Sequence, residues 1–173
     1  MNIVHVITTI CRGGAENQLL TLVKQQIKMN RGKIEIVYLK GNPDLKKEFL
    51  DAGAFVISDL ENRNIFIQIL RLRNFLKQNK NIVHAHLPRS EILTTICKTR
   101  NTKFIFSRHN TEAFYPNAPK LLSTLLSRIV CSKANFGIMI SKAVSTYSLK
   151  SKEISSKFPT KIVYYGIEKK EKR

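Results

Sequence analysis

The stretch Asn2-Ile3-Val4-His5-Val6-Ile7-Thr8-Thr9, then Gly13-Gly14, then Ala15 to Met29 with Leu19, Leu20, Val23 and Ile27 at helical spacing, decides the fold. A short run of β-branched residues reads as a strand, and apolar residues recurring every three or four positions read as a helix. Asn30-Arg31-Gly32 stops that helix, and Ile34 to Leu39 returns to a β-branched run. The opening unit is therefore strand, glycine turn, helix, strand.

The same alternation continues along the chain. Pro43 and Asp44 open a short helix through Ala52, Gly53 ends it, and Ala54 to Ile57 is a third strand. Asn64 to Asn79 reads as a helix, Ile82 to His86 as a strand, and Pro88 opens the next helix. Lys103 to Ser107 is a fifth strand. After a segment interrupted by Pro116 and Pro119, a helix over Lys120 to Ala134 leads to strand Phe136 to Ile140, a helix capped by Ser141, and a last strand at Lys161 to Tyr164. Strands alternating with helices need crossover connections, which give parallel pairing. The expected architecture is α/β: a single doubly wound, Rossmann-like domain with a mostly parallel sheet of about seven strands and helices on both faces.

At 173 residues the chain has the length of one domain. Its 43% apolar content supports a packed core and argues against disorder. No apolar run approaches the ~18 residues needed to cross a bilayer. The apolar N-terminus lacks the preceding basic residue and following cleavage pattern of a signal peptide, so it reads as a strand. Cys11, Cys97 and Cys131 are few, odd in number and far apart, which suits reduced thiols rather than a zinc or redox pair. The expected location is the cytoplasm, with peripheral contact at the inner face of the membrane compatible with the charge. That charge is +18 overall and uneven: residues 62–152 carry 16 basic and 2 acidic groups, against 8 and 7 over residues 1–61. Such a block attracts nucleic acid, anionic lipid or phosphorylated ligands, although solvated lysines from composition bias would look the same.

In doubly wound sheets, ligands gather beyond the carboxyl ends of the strands. After the first strand, Arg12-Gly13-Gly14-Ala15-Glu16 places two glycines and a helix start where an anion is favoured; a tight turn with no ligand is the plainer alternative. The dinucleotide fingerprint and the Walker loop are both missing. After the fourth strand, His84 and His86 fall on one face, so a two-histidine metal site is conceivable. With no third ligand or carboxylate nearby in sequence, no metal is expected, and His86 and Arg89 are read as cleft groups. After the fifth strand, Arg108, His109 and Asn110 cluster donors that suit a phosphate or sugar hydroxyl; a loop histidine without a task is the alternative. Ser141 after the sixth strand reads as a helix cap.

Taken together, Ile3-Val4-His5-Val6-Ile7-Thr8-Thr9, Gly13-Gly14-Ala15-Glu16, Ile82-Val83-His84-Ala85-His86-Leu87-Pro88, Arg108-His109-Asn110, Ile138 to Ser141 and Lys161 to Ile167 resemble the N-terminal half of a family 4 glycosyltransferase of the GT-B fold. The resemblance implies retaining transfer of a sugar from a nucleotide-sugar donor to a glycan or lipid-linked acceptor, as in polysaccharide biosynthesis. It implies that Gly13 and Gly14 face the donor diphosphate, that Glu16 belongs to that helix start, and that His109 lies near the transferred sugar as the catalytic contact. Arg12, His86, Arg89 and Arg108 are added as substrate-binding candidates from strand-end position and charge.

Two departures qualify the resemblance. Tyr165-Gly166-Ile167-Glu168 stands where family sequences read Asn-Gly and then Asp, and the chain reaches Lys169 to Arg173 about where a donor-binding domain would begin. The expected layout is a domain over residues 1–168 and a basic tail over 169–173 at the position of the interdomain linker. By resemblance the chain is half a hexosyltransferase, with little activity unless a separate donor-domain chain supplies the other half. No cofactor is expected beyond the nucleotide sugar as co-substrate. The competing reading is a non-enzymatic basic module for polyanions, an anionic membrane surface or RNA, although no RNA-recognition motif is visible.

Overall fold

Every strand expected from the sequence forms, and every helix between them, in the computed structural model, which describes residues 2–78 and 81–166. The strands are β1 (Asn2–Ile7), β2 (Lys33–Tyr38), β3 (Phe55–Ile57), β4 (Asn81–His86), β5 (Lys103–Arg108), β6 (Phe136–Met139) and β7 (Thr160–Ile162). The helices are α1 (Gly14–Lys28), α2 (Lys46–Asp51), α3 (Ile65–Lys77), α4 (Pro88–Cys97), α5 (Lys120–Lys133) and α6 (Lys142–Lys150). The sheet order is β3-β2-β1-β4-β5-β6-β7, and each neighbouring pair is parallel. This is a single Rossmann-like α/β domain. The last strand starts and ends earlier than its apolar pattern suggests, because its pairing with Gly137 to Met139 of β6 takes in Thr160 to Ile162. The expected boundary between residues 168 and 169 lies outside the described residues.

Local chemistry sets the helix starts. Gly13 is extended (φ −120°, ψ 173°) ahead of α1, and Glu16 in its first turn complements the positive end of the helix dipole. Asn64 Oδ1 accepts from Ile67 N–H at 2.9 Å to start α3, and Ser141 Oγ accepts from Val144 N–H at 3.2 Å to start α6. Pro88 opens α4, where its missing N–H costs nothing.

Both faces of the sheet are packed. Ile3, Ile7, Ile34, Ile36 and Tyr38 meet Leu19, Leu20, Val23 and Phe49, which puts α1 and α2 on one face. On the other face, Val4, Val6, Val37 and Val83 meet Leu72, Leu76, Leu93 and Cys97 of α3 and α4. Ala85, Phe104, Phe106 and Met139 extend that face under Val130 and Val144 of α5 and α6. Gly137 permits the close approach here, since an added Cβ would lie 2.9 Å from Phe106 Cζ, and Phe106 stacks on Phe158 at 5.8 Å. No helix among the described residues is long and apolar enough to cross a membrane.

Phe104 is fully buried in this last cluster. Phe104→Ala is expected to cost about 3–5 kcal/mol of unfolding free energy, since the cavity cannot collapse fully. A urea titration checks this, and a loss under about 1 kcal/mol would contradict the packing described.

Candidate functional site

The chain leaves β1 toward the α1 face and leaves β4 toward the opposite face, so a crevice opens between them at their carboxyl ends. Register brings His5 beside His84 and Ile7 beside His86, with His86 beside Ser107 of β5. Side chains two apart on a strand share a face, so His5, His84 and His86 converge on the α1 side. His5 Nδ1 lies 3.1 Å from His86 Nε2, and His5 Nε2 lies 2.9 Å from Gln26 Oε1 of α1. His84 Nε2 lies 2.7 Å from Ser107 Oγ. All three rings are buried, and burial, the leading cause, holds them neutral: His5 is lowered to about 4, and His84 and His86 are lowered well below the usual histidine value.

His109 follows β5 and packs against His86, with the rings tilted by 45° and their centroids 5.7 Å apart. It is half-buried, and desolvation lowers it to about 4. Tyr165, whose hydroxyl is raised to about 12 by burial and then by Glu16, hydrogen-bonds His109 Nδ1. With the Tyr165 hydroxyl donating to Nδ1, the proton of the neutral ring rests on Nε2. That nitrogen is buried without a partner.

A cavity of about 280 Å³ lies between α1 and the sheet, walled by Gln18, Gln25, His84, His86, His109 and Tyr165 among others. A second, of about 100 Å³, adjoins it under the loop after β5 and is lined by His109, Asn110, Arg108, Glu91 and Glu153. His109 borders both. A further concavity, about 700 Å³, lies between α5 and the segment after α6, and holds none of the residues expected from sequence.

Those residues separate into three groups. His86 and His109 meet in the larger cavity. Glu16 accepts from Thr9 Oγ1 at 2.5 Å beside Gly13, where an added Cβ would collide with its carboxylate, while Gly14 faces open space. The three arginines are engaged elsewhere. Arg12 is exposed and pairs with Glu48 of α2 at 2.5 Å, and Arg89 donates to Gln68 Oε1 of α3 at 3.1 Å. Arg108 is buried: its Nε donates to Glu91 Oε2 at 3.0 Å, its Nη2 to Ser127 Oγ at 3.1 Å, and its Nη1 lies 3.5 Å from Glu153 Oε2. It ties β5 to α4, α5 and the segment after α6. One guanidinium between two buried carboxylates leaves a negative excess, and burial raises Glu91 to about 7.

Sequence reasoning missed His5, Gln26, Ser107 and Tyr165. His5 is far from His84 in the chain, and only strand pairing brings them together. Tyr165 carried a signal, since a tyrosine stood where the resembled family has an asparagine. The turn after His86 is strained, since Leu87 adopts φ 73° without being glycine. Ser90 Oγ holds it by donating to His86 O and Leu87 O. Chemically, the crevice offers neutral imidazoles and a phenol that can donate to phosphoryl oxygens and exchange hydrogen bonds with hydroxyls, and it holds the Ser107 hydroxyl against His84 Nε2.

Comparison with known proteins agrees with the fold and places the chain in a family. The model of Glycosyltransferase Family 4 matches residues 12–168. Among curated proteins, no sequence matches. The solved structure of Anabaena Alr3699/HepE in complex with UDP is 14% identical with a TM-score of 0.77, over 96% of this chain and 44% of that one. HepE in complex with UDP-glucose gives the same values. UDP-N-acetylglucosamine 2-epimerase from Rickettsia bellii is 14% identical with a TM-score of 0.58, over 92% of this chain and 44% of that one. The chain thus spans less than half the length of these solved chains, and the likeness is one of fold.

The pH dependence of stability tests the neutral cluster. A histidine whose folded value lies below its unfolded 6.5 is protonated more readily in the unfolded chain, so its contribution is present above about 6.5 and is lost on acidification toward about 4. Glu91, at about 7 folded against 4.5 unfolded, acts in the opposite direction over that window, and Glu153 is also raised. Each group contributes at most ~1.4 kcal/mol per pH unit. The urea midpoint is expected to fall between pH 7 and pH 5, less steeply in His109→Gln and more steeply in Glu91→Gln. A midpoint that rises on acidification, or slopes unchanged in both variants, would contradict buried neutral imidazoles.

Proposed function

The chain belongs to Glycosyltransferase Family 4, and from that premise we propose that it supplies the N-terminal, acceptor-side domain of a retaining glycosyltransferase. The domain spans residues 1–168, followed by a basic linker over 169–173. The donor is a nucleotide sugar, the acceptor a glycan or lipid-linked glycan, and the product belongs to polysaccharide biosynthesis. The observation that carries the reading is His109, a neutral ring at the mouth of the strand-end crevice whose Nε2 is buried without a partner. The HepE structures hold UDP and UDP-glucose, which supports a nucleotide-sugar donor for a domain of this fold.

In this reading, the crevice binds by positioned neutral donors rather than by cations. Tyr165 fixes the His109 tautomer, so Nε2–H points a donor at a hydroxyl of the transferred sugar, and His86 packs behind the ring. Gly13-Gly14 and the N-terminus of α1 face the donor diphosphate, where unpaired helix N–H groups favour an anion. Glu16 is held aside by Thr9. Arg12, Arg89 and Arg108 position elements through Glu48, Gln68 and the Glu91–Glu153 pair rather than contact substrate. Stabilising the leaving diphosphate is usually a large term, and the nucleotide side of the pocket comes from a donor-binding domain.

A membrane-bound acceptor fits the outer surface. The α3, α4 and α5 helices lie side by side. Phe66 (75% exposed), Leu70 (62%) and Leu121 (84%) stand on their solvent side among Arg63, Arg71, Arg73 and Lys120. Apolar side chains among cations suit an anionic headgroup layer, at about 1 kcal/mol per cation near the surface. The same face is the observation in favour of the polyanion-binding reading, which differs in requiring no transfer activity.

Two measurements check these statements. Reconstituted with a family 4 donor-binding domain, in trans or by fusion, and labelled nucleotide sugar, the chain should transfer sugar, and His109→Ala should lower turnover roughly 100-fold, as for loss of a positioned donor. A near-normal rate would remove the role given to His109, and product formed by the chain alone would contradict the need for a second domain. In co-sedimentation at low salt with vesicles of phosphatidylglycerol and phosphatidylcholine, the chain should pellet, and Phe66→Asp/Leu121→Asp should release it. Failure of the unaltered chain to pellet would overturn the surface assignment.

A further inference from the structure

The chain has only four histidines, and all four rings lie together at the carboxyl ends of β1, β4 and β5. Sugar transfer as proposed above uses His109, packed on His86; it gives no task to His5 or His84. Yet His5, His84 and His86 form the tighter group, with centroids 5.2, 5.3 and 4.0 Å apart. One ring nitrogen from each lies within 4.8 Å of one from each of the others.

Hydrogen bonding fixes where the lone pairs point. Gln26 Oε1 is an acceptor, so the His5 proton resides on Nε2 and the Nδ1 lone pair faces inward, 3.1 Å from His86 Nε2. In the absence of a bound ion, His86 must donate from Nε2 to satisfy it. Its own Nδ1 is then a lone pair, buried with no partner. A buried group left unsatisfied in this way costs about 1–3 kcal/mol. A divalent cation would take the converging lone pairs of His5 Nδ1 and His86 Nε2 in neutral imidazoles, the form in which histidine binds metal, with the His86 proton then on Nδ1. The 3.1 Å spacing is close to the ~3.3 Å between two nitrogens each ~2.0–2.1 Å from a tetrahedral centre. Gln26 and Ser107 hold the outer edges of the His5 and His84 rings, as hydrogen-bonded partners of metal-binding histidines do.

We propose that His5, His84 and His86 form a binding site for one divalent cation of the zinc class, joining β1 to β4. An all-imidazole donor set with no carboxylate disfavours magnesium and calcium, which take oxygen ligands. His84 and His86 also line the 280 Å³ cavity, so a fourth position faces that cavity and takes water or an oxygen of a bound ligand. This site does not rest on the sugar-transfer reading. Metal binding with no transferase activity, or activity with no metal, would separate the two.

The test uses the full chain without a histidine tag, stripped with chelator and titrated with Co²⁺. One equivalent is expected to bind with the visible absorption of a nitrogen-ligated ion, to be displaced by Zn²⁺ and not by Mg²⁺, and Zn²⁺ should raise the thermal midpoint. His84→Gln should abolish the absorption. Because that variant may lose its fold, Gln26→Leu provides a second probe, with affinity expected to fall roughly 10- to 100-fold as for a lost outer partner. Folded chain, verified by circular dichroism, that gives neither cobalt absorption nor a zinc-dependent midpoint overturns the proposal. So does undiminished binding in folded His84→Gln.

Discussion

The parallel pairing of β1 with β4 is the constraint on which the rest of this molecule depends. There the chain departs to opposite faces from adjacent strands, toward α1 from β1 and toward α4 from β4. Packing therefore cannot close the carboxyl edge there, and a crevice remains. The register His5↔His84 and Ile7↔His86 then decides which side chains line it. A slip of one residue in β4 would turn His84 and His86 to the opposite face, away from His5, and no site would exist.

Much of this was legible in the sequence because each level of information agreed. β-branched runs, glycine and asparagine stops, Pro88 and the caps Asn64 and Ser141 all pointed to the same alternation of strands and helices. The parallel sheet follows from that alternation. What periodicity cannot carry is the partner of a side chain across the sheet. His5 looked like one residue of a buried strand, and it becomes the third member of a cluster only when β4 lies beside it. Arg108 shows the converse: it stood at a strand end among polar residues and read as a cleft cation. Its guanidinium instead enters the core to meet Glu91 and Glu153 over Phe114, 4.1 Å from that ring. Charge at a strand end does not reveal whether the next residue's backbone turns it inward.

Electrostatics divides the domain into two regimes. Around the crevice, burial strips the charge from ionisable groups, so the four imidazoles act as oriented dipoles and Tyr165 stays protonated. On the far face, cations stand in water beside exposed leucine and phenylalanine. The function proposed above would use both regimes, the neutral crevice for sugar and phosphoryl oxygens and the basic apolar surface for a lipid-linked acceptor. Arg108 and its two carboxylates lie between these regions and hold the loop that carries His109 to the elements around it.

The site depends on the four rings being desolvated enough to stay uncharged at the strand ends. An NMR titration of the histidine ring protons measures this most directly. His5 and His109 should show midpoints near 4, and His84 and His86 should remain neutral until the fold is lost. A ring titrating near the free-solution value of 6.5 would show that water reaches the cluster and would contradict the site as described.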